Sequence, residues 1–180
     1  EDRYAPKLTD FLDPRQQFIV DSIRRQYEDI GSSAEGALED AERRRVLLFP
    51  SYYVPSEIDF SMRVVEVHYP TKFVTLKHKD VLGSMMSLGI DRSKFGDIRV
   101  QDGAIQFVVA LEVLDYVRAN FTSIGKVKVH IDDVGNPQDY FVQQEEWMTE
   151  TLTVSSLRLD TVIASIFNIS RQKSASLIQS

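Results

Sequence analysis

The sequence contains no cysteine and no long apolar run, and each absence limits the kind of protein it encodes. Without cysteine no disulfide is possible, which is consistent with a reducing compartment such as the cytoplasm. No stretch of about 18 apolar residues occurs, so we predict no transmembrane helix. The 180 residues are enough for one large domain or two small ones.

Motifs of familiar enzyme classes are also missing. No serine lies in a nucleophile turn, and there is no Gly-rich phosphate loop or dinucleotide fingerprint. Among the three histidines, His130 with Asp132 and Asp133 forms the best candidate metal-ligand group. Acidic residues are common at strand ends, however, so we predict no metal and no cofactor. His78 and Asp80 have the residue types of a general base and its orienting acid, but no nucleophile accompanies them, and we predict that the protein is not an enzyme.

Positive charge is scarce overall, because the net charge is -6. Polyanions are attracted by cationic surfaces, so this value alone argues against nucleic-acid binding. The charge is unevenly distributed, however: residues 61–130 carry ten basic and seven acidic side chains, and both flanking segments are acidic. Because screening limits the reach of a charge to about 8–10 Å, a local basic patch can bind a polyanion despite an acidic remainder.

Within this basic region, residues 76–98 are predicted to form a short helix between two cationic loops. The helix is indicated by four apolar residues that share one face. A helix whose apolar face is buried holds the flanking charges at fixed positions, where a phosphate backbone can contact them. On the pattern alone, an ordinary surface helix with solvated charges is the favoured alternative. The apolar positions are Val81, Leu82, Met85 and Met86, and the flanking residues are Lys77, His78, Lys79, Arg92 and Lys94.

We predict an α+β fold that begins with a helix-helix-strand segment over residues 1–60. Asp13, Pro14 and Gln16 have the pattern of a capping box that starts the first helix, with an apolar stripe and Gly31 at its end. Ser32 and Glu35 have the same spacing and predict a second helix that extends to the arginines at 43–45. Residues 46–49 then read as a buried strand. The apolar stripe consists of Phe18, Ile19, Ile23, Tyr27 and Ile30.

Residues 61–132 are predicted to form a βαββαβ plait of the ferredoxin or RNA-recognition type, with Asp102-Gly103 as its hairpin turn. This topology places both helices on one face of an antiparallel sheet and leaves the other face open. Alternation directs polar and basic side chains to that open face, without the aromatic residues that stack bases. We therefore expect contact with an RNA backbone. The outward residues are Glu66, His68, Arg99, Gln101, Gln106, Lys126, Lys128 and His130, and the inward ones are Val65, Val67, Ile98, Val100, Ile105, Phe107, Val127 and Val129.

Residues 133–155 are predicted to be a linker, and residues 156–180 a pair of helices. Ser170 has the position of an N-cap for the second helix, with Arg171 and Lys173 in its first turn. Cations are disfavoured there by the helix dipole, so anion contact is one candidate role. The first helix has an apolar face formed by Leu157, Leu159, Val162, Ile163 and Ile166.

This last segment closely resembles the first half of the S4 RNA-binding domain, which has Arg-Leu-Asp, roughly ten further residues, and then Ser-Arg-x-x-Ala-x-x-Leu-Ile. Ser174 stands where the family usually has alanine. The glycine and the Val-x-Val-Asn strand that normally follow are absent, so we expect an incomplete S4 domain. The matching residues are Arg158, Leu159, Asp160, Ser170, Arg171, Leu177 and Ile178.

The whole chain resembles the YlmH family of bacterial S4-domain proteins, which was first associated with cell division in Gram-positive bacteria. The resemblance rests on FLDPRQQF at 11–18, FPSYY at 49–53, KHKDVLGSMMSLGIDRSKFGDI at 77–98 and IGKVKV at 124–129. It implies a cytoplasmic, non-enzymatic factor that binds ribosomal RNA and peptidyl-tRNA on the large ribosomal subunit during ribosome-associated quality control. By position, it assigns RNA contact to the S4-like residues Arg158, Ser170, Arg171 and Lys173, and to Lys77, His78, Lys79, Arg92 and Lys94 as a second patch.

We expect a monomer without membrane contact, which meets RNA through the plait and the C-terminal helices. Two weak surfaces on one chain would raise affinity through effective concentration. Two alternatives stay open. One is an RNA-modifying enzyme with an unrecognised active site around His78 and Asp80, and the other is a scaffold for division proteins that uses the acidic N-terminal helices.

Overall fold

The computed structural model describes residues 5–142, 153–167 and 169–179. The chain divides into two compact units, Glu1–Gln143 and Gln144–Ser180. The predicted segments 1–60 and 61–132 therefore lie in one unit, and much of the predicted linker lies outside the described residues. Helices and antiparallel sheets occur together, which confirms the mixed α+β class.

A three-stranded antiparallel sheet forms the N-terminal part of the first unit. Its strand order is β1-β3-β2, and helix α1 follows β1. The predicted capping box of α1 is confirmed: Gln16 N donates to Asp13 Oδ1 over 2.8 Å, and Asp13 N donates to Gln16 Oε1 over 2.9 Å. The elements are β1 (Lys7–Leu12), α1 (Pro14–Arg24), β2 (Ile30–Glu35) and β3 (Arg44–Pro50).

The predicted second helix is wrong, because residues 30–35 form β2 instead. This strand pairs with β3 from Ile30 opposite Pro50 to Glu35 opposite Arg45. Ser32 and Glu35 match the spacing of a capping box, but the hydrogen bonds with β3 determine the local conformation. The turn after β2 is tight at Gly36, where a Cβ atom would lie 2.4 Å from the Cβ of Ala41.

A second, four-stranded antiparallel sheet has the order β5-β6-β4-β9, with α2 between β4 and β5 and α3 after β6. A small hairpin of β7 and β8 precedes β9. The predicted Asp102-Gly103 turn joins β5 to β6, and both residues have positive φ angles, 51° and 83°. The elements are β4 (Met62–His68), α2 (His78–Ser87), β5 (Phe95–Gln101), β6 (Ala104–Ala110), α3 (Leu111–Asn120), β7 (Ser123–Ile124), β8 (Val127–Lys128) and β9 (His130–Asp133).

The antiparallel pairing places several connections at the same end of this sheet. His68, the last residue of β4, lies opposite His130, the first residue of β9. The loop from β4 to α2, the β5–β6 turn and the β7–β8 hairpin therefore meet at one end, which we call the upper end. The residues that enter β5 and those that join β6 to α3 lie at the opposite, lower end.

The main core lies between this sheet and its two helices. Inward residues of β4, β5 and β6 pack against α2 and α3, as alternation predicts, although Val100 is exposed. Phe107 makes edge-to-face contacts with Phe95 and Phe121 at centroid distances of 6.2 and 5.7 Å. The buried residues include Val65, Val67, Val81, Met85, Ile98, Ile105, Leu114 and Val117.

The opposite face of the four-stranded sheet is covered over much of its area, so the prediction that it is open is wrong, although His68, His130 and Asp132 at the upper end stay accessible. Three apolar residues of the sheet, Val64, Val108 and Ala110, point to this face and pack with N-terminal residues. Gln106 is fully buried there, and its side chain bonds Glu66 and the backbone of Asp139 and Phe141. The apolar outward residues explain why the face needs a cover. The covering residues are Phe11, Leu38 and Ala41.

The second unit contains α4 (Leu159–Ile166) and α5 (Arg171–Gln179). Ser170 Oγ accepts from Lys173 N over 3.3 Å, which confirms the predicted cap. Ser174 is fully buried, as a small residue between packed helices should be. In the predicted apolar face of α4, Leu157, Leu159 and Ile166 are exposed. In the described part of the chain, no helix is long and apolar enough to cross a membrane.

Candidate RNA-contact surface

Helix α2 presents the first group of basic side chains at the upper end. Leu76, Val81 and Met85 are buried and fix the helix against the sheet. Asp80 Oδ2 accepts from Lys77 N over 2.9 Å and so caps the start of the helix. The side chains of Lys77, His78 and Lys79, which lie between these anchors, are all exposed. Of the predicted buried face, Val81 and Met85 are buried and Leu82 is half-buried, but Met86 is exposed. The helix thus holds exposed charges at this end, as predicted.

The β7–β8 hairpin supplies a second group. Lys126 lies in its turn, after Gly125 with a φ of 59°, and Lys128 lies opposite Ser123. Both lysines are exposed, and β7 contacts α2. The two groups therefore share the upper end, not an open sheet face.

The loop from β4 to α2 adds two residues that were not predicted from the sequence. Lys72 is exposed, and the neighbouring Phe73 has 86% of its surface exposed. An exposed phenylalanine within a basic loop can stack on an unpaired base at little cost. The signal available in the sequence was a Lys-Phe pair between a strand and a helix.

We call these residues together the basic surface. Among the described residues, none of its lysines forms an ion pair. The segments that carry it, 69–80 and 120–130, contain five lysines and one carboxylate, that of the helix cap Asp80. Such a local excess of exposed positive charge suits a phosphate backbone. The basic surface consists of Lys72, Phe73, Lys77, His78, Lys79, Lys126 and Lys128.

Arg92, which follows α2, is separate from this surface. It lies at the lower end, where its guanidinium donates to Phe95 O over 2.7 Å and to Gly96 O over 3.0 Å. Burial, with a smaller effect from the nearby Arg43, lowers the pKa of Arg92 to about 10. The predicted grouping of Arg92 with Lys77 and Lys79 on one surface is wrong, because the loops at the two ends of α2 lie at opposite ends of the sheet.

Lys94 is also at the lower end, and it is neutralised within the protein. Its Nζ lies 2.5 Å from Asp10 Oδ1 and 3.2 Å from Glu112 Oε1. The hydrogen bond with Asp10 is the main reason that the pKa of Lys94 is raised. Arg45, predicted to lie at the end of a second helix, is instead a buried residue of β3 and bonds Glu112 over 3.0 Å. These residues join the N-terminal sheet to α3.

Arg99 lies on the covered face and is bonded to main-chain oxygens. Its guanidinium donates to Phe141 O over 2.6 Å and also to Glu39 O. Burial lowers the pKa of Arg99. The side chain fastens the covering segments to the sheet, so the predicted RNA-facing position of Arg99 is wrong.

In the second unit, Asp160 joins the two arginines of the S4-like motif. Its carboxylate accepts from Arg171 Nε over 2.7 Å and from Arg158 Nε over 3.1 Å. The bond with Arg171, followed by that with Arg158, lowers the pKa of Asp160 to about 2. Both guanidinium groups stay largely exposed. Because the bonds to Asp160 use the Nε of each arginine, the Nη groups can donate to phosphate.

Comparisons with known proteins agree with a nucleic-acid role for the first unit. A family model described as "Putative RNA-binding domain in YlmH" matches residues 55–137, a range that contains the complete basic surface. The chain is 40% identical over 179 residues to the "Ribosome-associated protein quality control protein P2" of Bacillus subtilis (strain 168), across 99% of this chain and 69% of that protein. A solved structure of the "Cell division protein ylmH from Streptococcus pneumoniae" is similar with a TM-score of 0.66 and 31% identity, covering 78% of this chain and 85% of that one.

Proposed function

This chain belongs to the YlmH family, and on that premise we propose that it is a non-enzymatic factor that binds ribosomal RNA through the basic surface. The observation that carries the proposal is the set of five exposed lysines around Phe73 at the upper end. Fixed cations would contact phosphates, and Phe73 would stack on one unpaired base. Recognition would then depend on the shape of a structured RNA and not on its sequence.

The C-terminal unit would supply a second contact. Arg158 and Arg171, oriented by Asp160, would donate to phosphate oxygens, with Ser170 and Lys173 beside them as in the S4 domain it resembles. Binding at one surface raises the effective concentration of the other, so two modest contacts give useful affinity. The likeness of the first unit to an RNA-recognition plait, in element order and strand order, is consistent with this role.

We place this function on the large ribosomal subunit in the cytoplasm, during ribosome-associated quality control, with peptidyl-tRNA as a further partner. The assignment to ribosome-associated quality control is supported by the name of the Bacillus subtilis relative. The protein would act as a monomer without a cofactor.

The test is binding of the chain to purified large ribosomal subunits, measured by sedimentation over a series of salt concentrations. Replacing Lys77 and Lys79 together with glutamate is expected to weaken binding. The slope of log K against log salt should also fall by about 1 for each phosphate that the variant no longer neutralises. A Phe73→Ala variant is expected to cost about 1–3 kcal/mol of binding free energy with little change in the slope.

The matched control is Lys7→Glu with Arg15→Glu, which reverses the same number of charges at exposed positions in the N-terminal part. It is expected to retain the wild-type slope. If the control and the Lys77/Lys79 variant lose binding equally, net charge explains the effect and the basic surface is not the site.

A second candidate function, contact with a division protein, has one supporting observation. The apolar residues Phe18, Ile19 and Ile23 of α1 are exposed, as is Tyr27 just after the helix. An exposed apolar surface of this kind usually serves an interaction. The surface is this apolar one and not a pair of acidic helices, since residues 30–35 form β2 in place of the predicted second helix. A division protein that remains bound after ribonuclease treatment, and is lost from a Phe18→Ser/Ile23→Ser variant, would support this function.

A further inference from the structure

We propose that His68, His130 and Asp132 form a binding site for a single zinc ion. The three side chains come from the neighbouring strands β4 and β9, on the sheet face opposite the helices. One ligand atom from each lies within 4.8 Å of the others. The sequence places His68 and His130 far apart, and their convergence depends on the pairing of the first and last strands of this sheet.

Strand register brings the donors together. His68 lies directly opposite His130, and their rings stack at a centroid distance of 4.9 Å and an interplanar angle of 24°. Asp132 follows two residues after His130 and therefore points to the same face. Its Oδ2 lies 3.4 Å from His68 Nε2 and 3.6 Å from His130 Nε2.

These distances fit a metal better than direct bonding. Both exceed the usual N–H···O range of about 2.7–3.2 Å, so the carboxylate does not make a normal hydrogen bond to either ring. Two ligands of a tetrahedral zinc ion with bonds of about 2.0–2.1 Å are separated by roughly 3.3–3.4 Å. The carboxylate oxygen of Asp132 therefore already lies at nearly the separation that zinc imposes from each imidazole nitrogen. The two stacked rings would have to rotate so that both ring nitrogens point at the same ion.

The donor set also selects the class of metal. Two imidazole nitrogens and one carboxylate favour zinc and related transition metals, whereas magnesium and calcium prefer oxygen donors alone. The side chains of His68 and His130 are 41% and 71% exposed, so the ion can enter from solvent and water can take the fourth position. None of these residues belongs to the basic surface.

The experiment is titration of the metal-free, untagged chain with zinc by calorimetry and with cobalt by visible absorption. We expect one ion per chain, a tetrahedral cobalt spectrum and no binding of magnesium. His130→Ala and Asp132→Asn are each expected to weaken zinc binding at least about tenfold, since even changes to residues behind a ligand cost 10–100-fold. These side chains are exposed, so circular dichroism should show that both variants remain folded.

His78→Ala is the matched control, because His78 is the third histidine of the chain and lies on α2 outside the cluster. It should bind zinc as the wild type does. The proposal is overturned if the wild type binds no zinc, if His130→Ala binds it equally well, or if His78→Ala loses as much affinity. No RNA is present in the measurement, so its outcome is independent of the proposed function.

Discussion

Replacing Glu112 with glutamine is expected to destabilise the first unit, because it removes the nearer of the two carboxylates that face a buried arginine. The Arg45 side chain is only 5% exposed, and its Nη2 and Nη1 bond the Glu112 carboxylate over 3.0 and 3.1 Å. Breaking a fully buried ion pair costs about 3–5 kcal/mol, whereas an exposed pair contributes about 0–1 kcal/mol. Glu112 is 40% exposed, and Arg45 keeps its bonds to Thr9 O and Ser61 O. We therefore expect a loss of about 2 kcal/mol.

Urea denaturation followed by circular dichroism measures this loss, and the melting temperature should fall by about 5 °C. Asp115→Asn is the matched control, since it removes a fully exposed carboxylate of the same helix that lies 3.6 Å from Arg118. The control should change the free energy of unfolding by less than about 0.5 kcal/mol. An equal loss in both variants, or no loss in Glu112→Gln, would refute the role given to Arg45 and Glu112.

Three further predictions concern the second unit. Asp160→Asn is expected to weaken RNA binding although it removes a negative charge, because Arg158 and Arg171 lose their orientation. If this variant binds more tightly in the same sedimentation assay, then RNA affinity depends on net charge and not on the orientation of the arginines. The pKa of Asp160 is lowered from 3.8 to about 2, so the carboxylate contributes to stability above about pH 4, and this contribution is lost as the pH falls through 2. Amide hydrogen exchange in α5 should therefore become faster between pH 4 and pH 2 in the wild type but not in Asp160→Asn. Ser174→Ala is expected to stabilise the helix pair by up to about 1 kcal/mol in thermal unfolding, because the buried Oγ has no hydrogen-bond partner among the described residues.

The sequence correctly predicted the features whose hydrogen bonds join residues close together in the chain. The capping box at Asp13 starts α1, the Asp102-Gly103 turn closes a hairpin, and Ser170 caps α5. Each depends on residues within a few positions, so the sequence contains the whole cause. Strand β2 was missed because its conformation depends on β3, ten or more residues away.

The sequence of β6 indicates that both faces of the sheet are covered, but the alternation of polar and apolar residues in the neighbouring strands favoured an open face. Residues 105–110 in β6 are all buried, and their run of apolar residues, interrupted only by Gln106, is typical of a strand covered on both faces. What covers the face could not be predicted, since Phe11 and Ala41 belong to a different sheet and its loop.

The basic residues around α2 show that long-range contacts also limited the prediction of the functional site. Lys77 and Lys94 are equally plausible as RNA contacts in the sequence. Lys94 is paired with Asp10, 84 positions away, whereas Lys77 is exposed without such a partner among the described residues. Ion pairs between residues far apart in the sequence determine which basic side chain is free to contact RNA, and no local sequence pattern predicts these pairs.

The most direct test of RNA binding by the basic surface is ultraviolet crosslinking of the chain to large ribosomal subunits, with the crosslinked peptides identified by mass spectrometry. We expect crosslinks in the segments 72–79 and 126–128, with Phe73 among the modified residues because it would stack on a base. Crosslinks confined to residues 92–99 or to α1, with none at the upper end, would contradict the assignment.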